Sequence, residues 1–194
     1  MPRTASALRL ERFGAAVAGL HAIELEATEQ LPVRHRPLEI EDFDTARETS
    51  KSGPLLAAAE RRLAECEQPI ARSVLVHGDM WQGNTLWEGE QLTAIIDWDS
   101  AGVGHPGIDL ASARLDAVWM FGSEAADVVL RGYQQHRPSP RDLAYFEVVA
   151  ALASPPDMRP WVDVVAGQGR PDLSAELLVA RRDAFLRLAM DRLS

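Results

Sequence analysis

Apolar residues at Leu8, Phe13, Val17, Leu20, Ile23 and Leu25 recur at helical spacing in an Ala-rich background, which predicts an opening helix within residues 5–27. Between 28 and 53 the periodicity is lost. Pro32, Pro37 and Gly53 flank Glu39, Glu41, Asp42, Asp44 and Glu48, the pattern of an exposed acidic loop with a short helix at 41–48. Pro54 suits the first turn of a second helix. Leu55, Leu56, Ala59, Leu63 and Cys66 share its apolar face, and Pro69 ends it.

The texture then becomes that of strands. Ser73-Val-Leu-Val-His77 is short and β-branched. Asn84-Thr-Leu-Trp87 and Leu92-Thr-Ala-Ile-Ile96, joined by Glu88-Gly-Glu-Gln91, read as a β-hairpin. Helical periodicity returns over 107–120, 123–136, 140–153 and 173–192, with Pro138, Pro155, Pro156, Pro160 and Pro171 as breaks. The expected fold is therefore a single α+β domain over 1–194, mainly α with a small β-hairpin. A polar segment at 73–109 leads into a helical subdomain at 107–193.

Composition narrows the function. Twenty-nine acids against 20 bases give a net charge of −9, which argues against binding nucleic-acid backbone. No apolar run approaches the roughly 20 residues of a membrane helix, and no leader segment is visible. The single cysteine, Cys66, excludes an internal disulfide and a multi-cysteine metal site. A cytoplasmic protein is expected. Lys51 is the only lysine among the bases, so chemistry that needs an ammonium group has one candidate, placed in the acidic loop.

The chemistry concentrates in His77-Gly-Asp79-Met-Trp-Gln-Gly-Asn84 and, thirteen residues past the Asn, in Asp97 of Ile95-Ile-Asp97-Trp-Asp99. Asp79 follows a strand, Asn84 opens the next one, and Asp97 closes the hairpin. A hairpin sets the start of one strand beside the end of its partner, so Asn84 and Asp97 are expected as neighbours, with Asp79 across the connecting loop. Hard cations such as Mg²⁺ prefer oxygen donors and need few protein ligands when phosphates supply the rest. Phosphoryl transfer uses such a set: one carboxylate takes the acceptor's proton, while an Asn and an Asp hold the metal against the triphosphate.

With these strings the chain resembles the aminoglycoside phosphotransferase and choline-kinase-like family, which shares the protein-kinase fold. The H-G-D-x-W-x-G-N and I-D-W-D strings carry the resemblance. Gly104-His-Pro-Gly-Ile-Asp109-Leu-Ala is similar to the family's G-D-P-x-x-D-L-A, and Leu20-His-Ala-Ile to the helix that opens its C-terminal lobe. The resemblance implies ATP and Mg²⁺ as cofactors, Asp79 as catalytic base, Asn84 and Asp97 as metal ligands, and Leu86 and Ile96 as the floor of the adenine pocket. It implies His77 as a packing and hydrogen-bonding residue that orients the loop, and Asp109 as an anchor for a helix start or loop backbone. Trp81 and Asp99 fall near the site with roles left open. The implied partner is a small hydroxylated acceptor, a cationic one being one option, with neither nucleic acid nor membrane involved.

Three departures stand beside it. Family members carry an N-terminal lobe ahead of the Leu20 helix, with a phosphate-covering loop and a strand lysine, and Lys51 lies downstream of that position. The expectation is therefore a C-terminal lobe with the N-terminal lobe missing, and weak ATP binding by the chain alone. Trp81 occupies the place, two after the base, where protein kinases often carry lysine. His105 stands where the family usually has an acid.

Blander readings compete at several positions. Gly102-Val-Gly104-His-Pro-Gly107 is formally a G-x-G-x-x-G string, but a dinucleotide fold needs a further parallel strand ending in an acid about 20 residues on, and two helices are expected there instead. Glu39–Glu48 reads as a solvated face before it reads as a cation site. Trp119, Phe121 and Tyr133 read as core, Trp161 as a residue of a Pro-rich loop, and Cys66 as a small core residue. A non-catalytic binding fragment that keeps the fold is the alternative function.

Overall fold

The computed structural model describes residues 6–37, 53–70 and 73–193. The expected short helix at 41–48, the acidic cluster Glu39–Glu48 and Lys51 lie outside them. Helix α1 spans Ala7–Leu20, capped by Ser6, whose hydroxyl accepts from the Arg9 amide. Leu10, Phe13, Val17 and Leu20 face the core. The helix stops short of the expected 27 because the chain turns to pair with a strand: Glu24 bridges Val74, and the Leu75 amide donates to the Ile23 carbonyl at 2.8 Å. Helix α2, Pro54–Ala64, starts at its proline as expected.

Among the described residues five short strands follow from pairing more than from composition: β1 (Val33–Arg34), β2 (Val74–Val76), β3 (Thr85–Glu88), β4 (Gln91–Ile95) and β5 (Gly102–Gly104). The β3–β4 hairpin is antiparallel, with Thr85 opposite Ile95 and an irregularity between Leu86 and Trp87. A second sheet was not expected. It has the order β1–β5–β2, with β1 parallel and β2 antiparallel to β5. Its centre is the Gly-Val-Gly of the G-x-G-x-x-G string. A Cβ on Gly102 would stand 2.3 Å from the Pro32 carbonyl oxygen, and one on Gly107 would stand 2.3 Å from the Phe146 ring. These glycines serve close packing of strand on strand and helix on ring.

The remaining chain is helical: α3 (Gly107–Phe121), α4 (Ser123–Gln134), α5 (Leu143–Leu152), α6 (Arg159–Gly167) and α7 (Ala175–Arg192). Helix α6 corrects the placement of Trp161 in a loop. Pro160 sits in the first turn of α6, where its missing N–H has no cost, so a residue read as a break is a start. Helix α3 is buried on nearly every side and packs against α1, α4, α5 and α7. Two glycines interlock α1 with α4. A Cβ on Gly14 would lie 2.0 Å from the Val129 carbonyl oxygen, and a Cβ on Gly132 would lie 2.0 Å from that of Glu11. Buried Glu147 of α5 accepts Arg114 Nε of α3 and Arg192 Nη2 of α7, both at 2.7 Å, which ties three helices at one carboxylate. Among the described residues no helix is long and apolar enough to cross a membrane.

Candidate functional site

The Asp79 loop leaves β2 and is clamped from below. Gly78 has φ +81°, and a Cβ there would stand 2.2 Å from the Ser100 carbonyl oxygen, so only glycine suits the turn. Asp109, in the first turn of α3 and fully buried, receives the His77 amide at 2.7 Å and the Gly78 amide at 2.9 Å on its two carboxyl oxygens. His21, just past α1, places Nε2 3.3 Å from Asp109 Oδ2 and Nδ1 3.1 Å from the Tyr133 hydroxyl. A buried chain thus runs from α4 through α1 and α3 to the loop backbone.

His77 ties the same loop to the hairpin. Its Nε2 lies 2.9 Å from the Ile96 carbonyl oxygen, its Nδ1 accepts the Asp79 amide at 3.3 Å, and Trp98 packs on the ring with centroids 4.7 Å apart. Asn84 is the last residue of a 3₁₀ turn, Gln82–Asn84, one residue before the strand it was expected to open. Its side-chain amide donates to the Asp79 carbonyl and to Asp79 Oδ2, each at 2.9 Å. Its own carbonyl accepts the Ile96 amide at 2.9 Å, which carries the chain directly to Asp97. Asp97 has φ +64°, the one left-handed non-glycine among the described residues, a conformation that concentrates at functional sites. Burial raises the Asp79 pKa above the usual carboxylate range. The Asn84 hydrogen bond and the His77 and Trp81 side chains oppose the rise, and the Asp97 charge adds to it.

The structure therefore brings Asp79, Asn84, Asp97 and His77 together over Asp109. Leu86 and Ile96 lie 49% and 39% exposed on one face of the hairpin, because Leu86 pairs with Ala94 and residues two apart on a strand point the same way. Asp99 is exposed beyond Trp98. His105 acts where an acid was expected. Its Nδ1 accepts the Gly107 amide at 2.9 Å, and the ring stacks on Phe146 at 4.2 Å. Burial lowers its pKa to about 4, so it meets the helix start as a neutral acceptor.

Asp116 was missed. It is fully buried on α3, and its Oδ2 accepts both the backbone amide of Gln82 at 3.2 Å and its side-chain amide at 2.9 Å. Asp116 stands seven residues, two helical turns, after Asp109, so the two share a face. That spacing could have revealed it. Burial chiefly, with the Asp79 charge, raises its pKa to about 6. Between the ordinary carboxylate value of about 4 and this one, the folded chain holds a proton that the unfolded chain has lost, so stability falls as pH rises and levels off above pH 6. The shift of roughly two units corresponds to about 3 kcal/mol. In urea titrations, Asp116→Asn should gain on the wild type through this window and hold the gain at higher pH. Parallel profiles would show that Asp116 does not titrate there.

Beside Asp79 a pocket is lined by Met80, Trp81, Leu115, Asp116, Trp119 and Trp161. Trp81 meets Trp161 edge to face at 5.7 Å, and Trp161 meets Trp119 at 6.2 Å. A Cβ on Gly83 would stand 2.4 Å from the Trp81 ring, so the glycine leaves that indole its place.

Comparison with known proteins agrees with the fold and the motifs. Residues 3–143 match the phosphotransferase enzyme family known as APH, and the chain belongs to that family. The solved macrolide 2′-phosphotransferase of Brachybacterium faecium superposes with TM-score 0.53 at 25% identity, covering 98% of this chain and 60% of that one. An amicoumacin kinase, solved with AMP-PNP, Ca²⁺ and its substrate, superposes with TM-score 0.54 at 18% identity, covering 96% and 59%. Viomycin phosphotransferase of Streptomyces vinaceus is 41% identical over 59 residues, 28% of this chain and 21% of that protein. The chain thus spans about 60% of the length of the solved relatives it matches.

Proposed function

We propose that this chain carries the metal- and acceptor-binding side of an ATP-dependent phosphotransferase acting on a hydroxyl of a small molecule, working in the cytoplasm. The orientation of Asn84 supports this most directly. Both hydrogen bonds of its amide nitrogen go to Asp79, leaving Oδ1 with no donor among the described residues. Asp97 forms no hydrogen bond or ion pair among them either. Two oxygen groups therefore stand free beside Asp79. No three His, Cys, Asp or Glu side chains form a closed metal cluster among the described residues. That donor set fits Mg²⁺, which takes one or two protein oxygens and completes its octahedron with phosphate and water.

A bound Mg²⁺ would neutralise charge on the triphosphate. Asp79 orients the acceptor hydroxyl and accepts its proton as the oxygen attacks the γ-phosphorus. The new O–P bond forms while the bond from that phosphorus to the bridging oxygen breaks, and the nucleoside diphosphate leaves with the electron pair. Leu86 and Ile96 offer the exposed apolar face against which the purine lies. His77 and Asp109 hold the loop. Trp81 belongs to the acceptor side and Asp99 to the hairpin margin. Antibiotics named with the relatives, among them macrolides, viomycin and amicoumacin, make antibiotic alcohols the first acceptors to try.

Titration of Mn²⁺ in the presence of ATP, followed by its paramagnetic effect on water relaxation, tests the ligand set. Asp97→Asn and Asn84→Ala should each weaken metal–nucleotide binding by at least about a hundredfold, beyond the roughly 10–100-fold that loss of an outer-shell partner usually costs. Unchanged binding in both variants would remove the metal assignment.

A further inference from the structure

The buried chain that ends on Asp109 begins further out than Tyr133. Tyr133 of α4 is 1% exposed, and its hydroxyl stands 3.1 Å from His21 Nδ1. Its other polar neighbour is Arg137, three residues past the end of α4. The Arg137 amide donates to the Tyr133 carbonyl at 3.0 Å, which folds the chain back over the helix end. From there the Arg137 guanidinium donates to the Tyr133 hydroxyl oxygen. Arg137 is only half-buried, so the chain of contacts starts at the surface.

Donor and acceptor chemistry gives these contacts a direction. A guanidinium donates and cannot accept, so the phenol oxygen is the acceptor at the Arg137 end. Burial raises the Tyr133 pKa, and the hydroxyl keeps its single proton. Among the described residues the acceptor for that proton is His21 Nδ1. In a neutral imidazole the nitrogen that accepts is bare and the other carries the proton, which places it on Nε2. Nε2–H then donates to Asp109 Oδ2 at 3.3 Å. The opposite tautomer would set a bare Nε2 lone pair against a carboxylate in a fully buried site. Asp109 passes the order on, because its two oxygens accept the His77 and Gly78 amides at the base of the Asp79 loop. A charged donor at the outer end strengthens such a chain by polarising each bond in turn.

We propose that Arg137 and Tyr133 are positioning residues for the Asp79 loop: the guanidinium orients the phenol hydroxyl, which holds His21 as the Nε2–H tautomer that braces Asp109. Both act through His21 rather than on the reacting groups. The effect on the loop needs no nucleotide or acceptor, while the effect on transfer rests on the phosphotransferase reading. Amide hydrogen exchange and NMR of the His21 ring nitrogens test it on the chain as it stands. At about pH 8, well above the ordinary histidine value, Nε2 should be protonated and Nδ1 bare. Tyr133→Phe removes the hydroxyl and keeps the ring in the core. It should speed exchange of the His77 and Gly78 amides by at least about fivefold, the scale of one buried hydrogen bond, and by more than it speeds exchange in α7. Arg137→Met should speed the same two amides by about threefold, and Arg137→Lys, which still donates, should restore the wild-type rate. In the Tyr133→Phe background Arg137→Met should add nothing, because members of one network are not additive. Arg137→Met alters a half-buried side chain and leaves the core intact, which keeps the test decisive if Tyr133→Phe does not fold. In transfer assays Tyr133→Phe should lower kcat by about the same factor as it speeds the loop, with KM for ATP changed by less than about twofold.

A protonated Nδ1, wild-type exchange at both amides in Arg137→Met, or effects of the two variants that simply add would overturn the relay. Acceleration in α7 equal to that in the loop would reduce Tyr133 to a core residue. Faster loop exchange with unchanged kcat would leave the relay standing and count against Asp79 as the group whose placement sets transfer. A lowered kcat with unchanged loop exchange would do the reverse.

Discussion

Asp79→Asn should lower kcat for phosphoryl transfer by about 10²–10⁴, the usual contribution of a positioned general base, with KM for ATP changed by less than about threefold. In barrier terms this is roughly 3–5 kcal/mol. Asn is the informative replacement because it keeps size and shape. Its carbonyl oxygen can still receive the Asn84 amide that Oδ2 receives at 2.9 Å, and the loop still hangs from the Asp79 amide on His77 Nδ1. What disappears is the ability to take a proton. A loss confined to kcat separates proton acceptance from loop placement, because misplacement would also disturb the Asn84 side of the site and with it nucleotide binding. Transfer within threefold of the wild type would assign the proton to another group.

Asp109→Asn should cost stability instead, by about 2–5 kcal/mol in urea unfolding with an unchanged slope. The carboxyl of Asp109 faces three nitrogens: the His77 and Gly78 amides and His21 Nε2. An Asn has one oxygen to offer, and its NH₂ points donors at donors. With the site fully buried, water cannot make up the difference, and each orphaned amide costs about 1–3 kcal/mol. The loss should localise. Hydrogen exchange at the His77 and Gly78 amides should accelerate more than exchange in α7, which lies away from the clamp. Asp99→Asn is the control, since an exposed carboxyl change normally falls within about 0.5 kcal/mol. Equal effects at both positions would mean that the clamp contributes nothing of its own.

The helices and the hairpin were legible because each buries one face with the periodicity of its own geometry. Leu10, Phe13 and Val17 in α1 and the Thr85–Ile95 pairing are examples. The three-stranded sheet was not legible. Val33–Arg34 and Gly102–Gly104 are too short to show alternation, and a parallel pair between residues about 70 apart leaves no local trace. The end of α1 was overestimated because Ile23 and Leu25 continue the helical spacing, yet both stay partly exposed on an extended segment that pairs with β2. Pro160 misled for a related reason: proline marks helix starts as well as stops, and only packing tells which.

At the site, Asp79, Asn84 and Asp97 could be read from spacing because a tight hairpin leaves little freedom in where its ends meet. Asp109 came with the motif resemblance. Asp116, His21 and Trp119 were harder. They gain meaning only when α3 is laid under the loop and α1 and α6 are brought alongside. The seven-residue spacing from Asp109 marks Asp116 as facing the same way, and its role follows once its partner, Gln82, lies against it.

The interlocked glycines of α1 and α4 have a consequence for the loop far from them. Gly132 precedes Tyr133, and Gly14 sits two turns before His21, so the depth at which the two helices cross sets how far the tyrosine hydroxyl stands from the imidazole. A methyl group added at either glycine would act as a shim. The strain would travel down the helices as a rigid displacement and reach the Asp79 loop through a linkage of hydrogen bonds, although no atom of the added group comes near it.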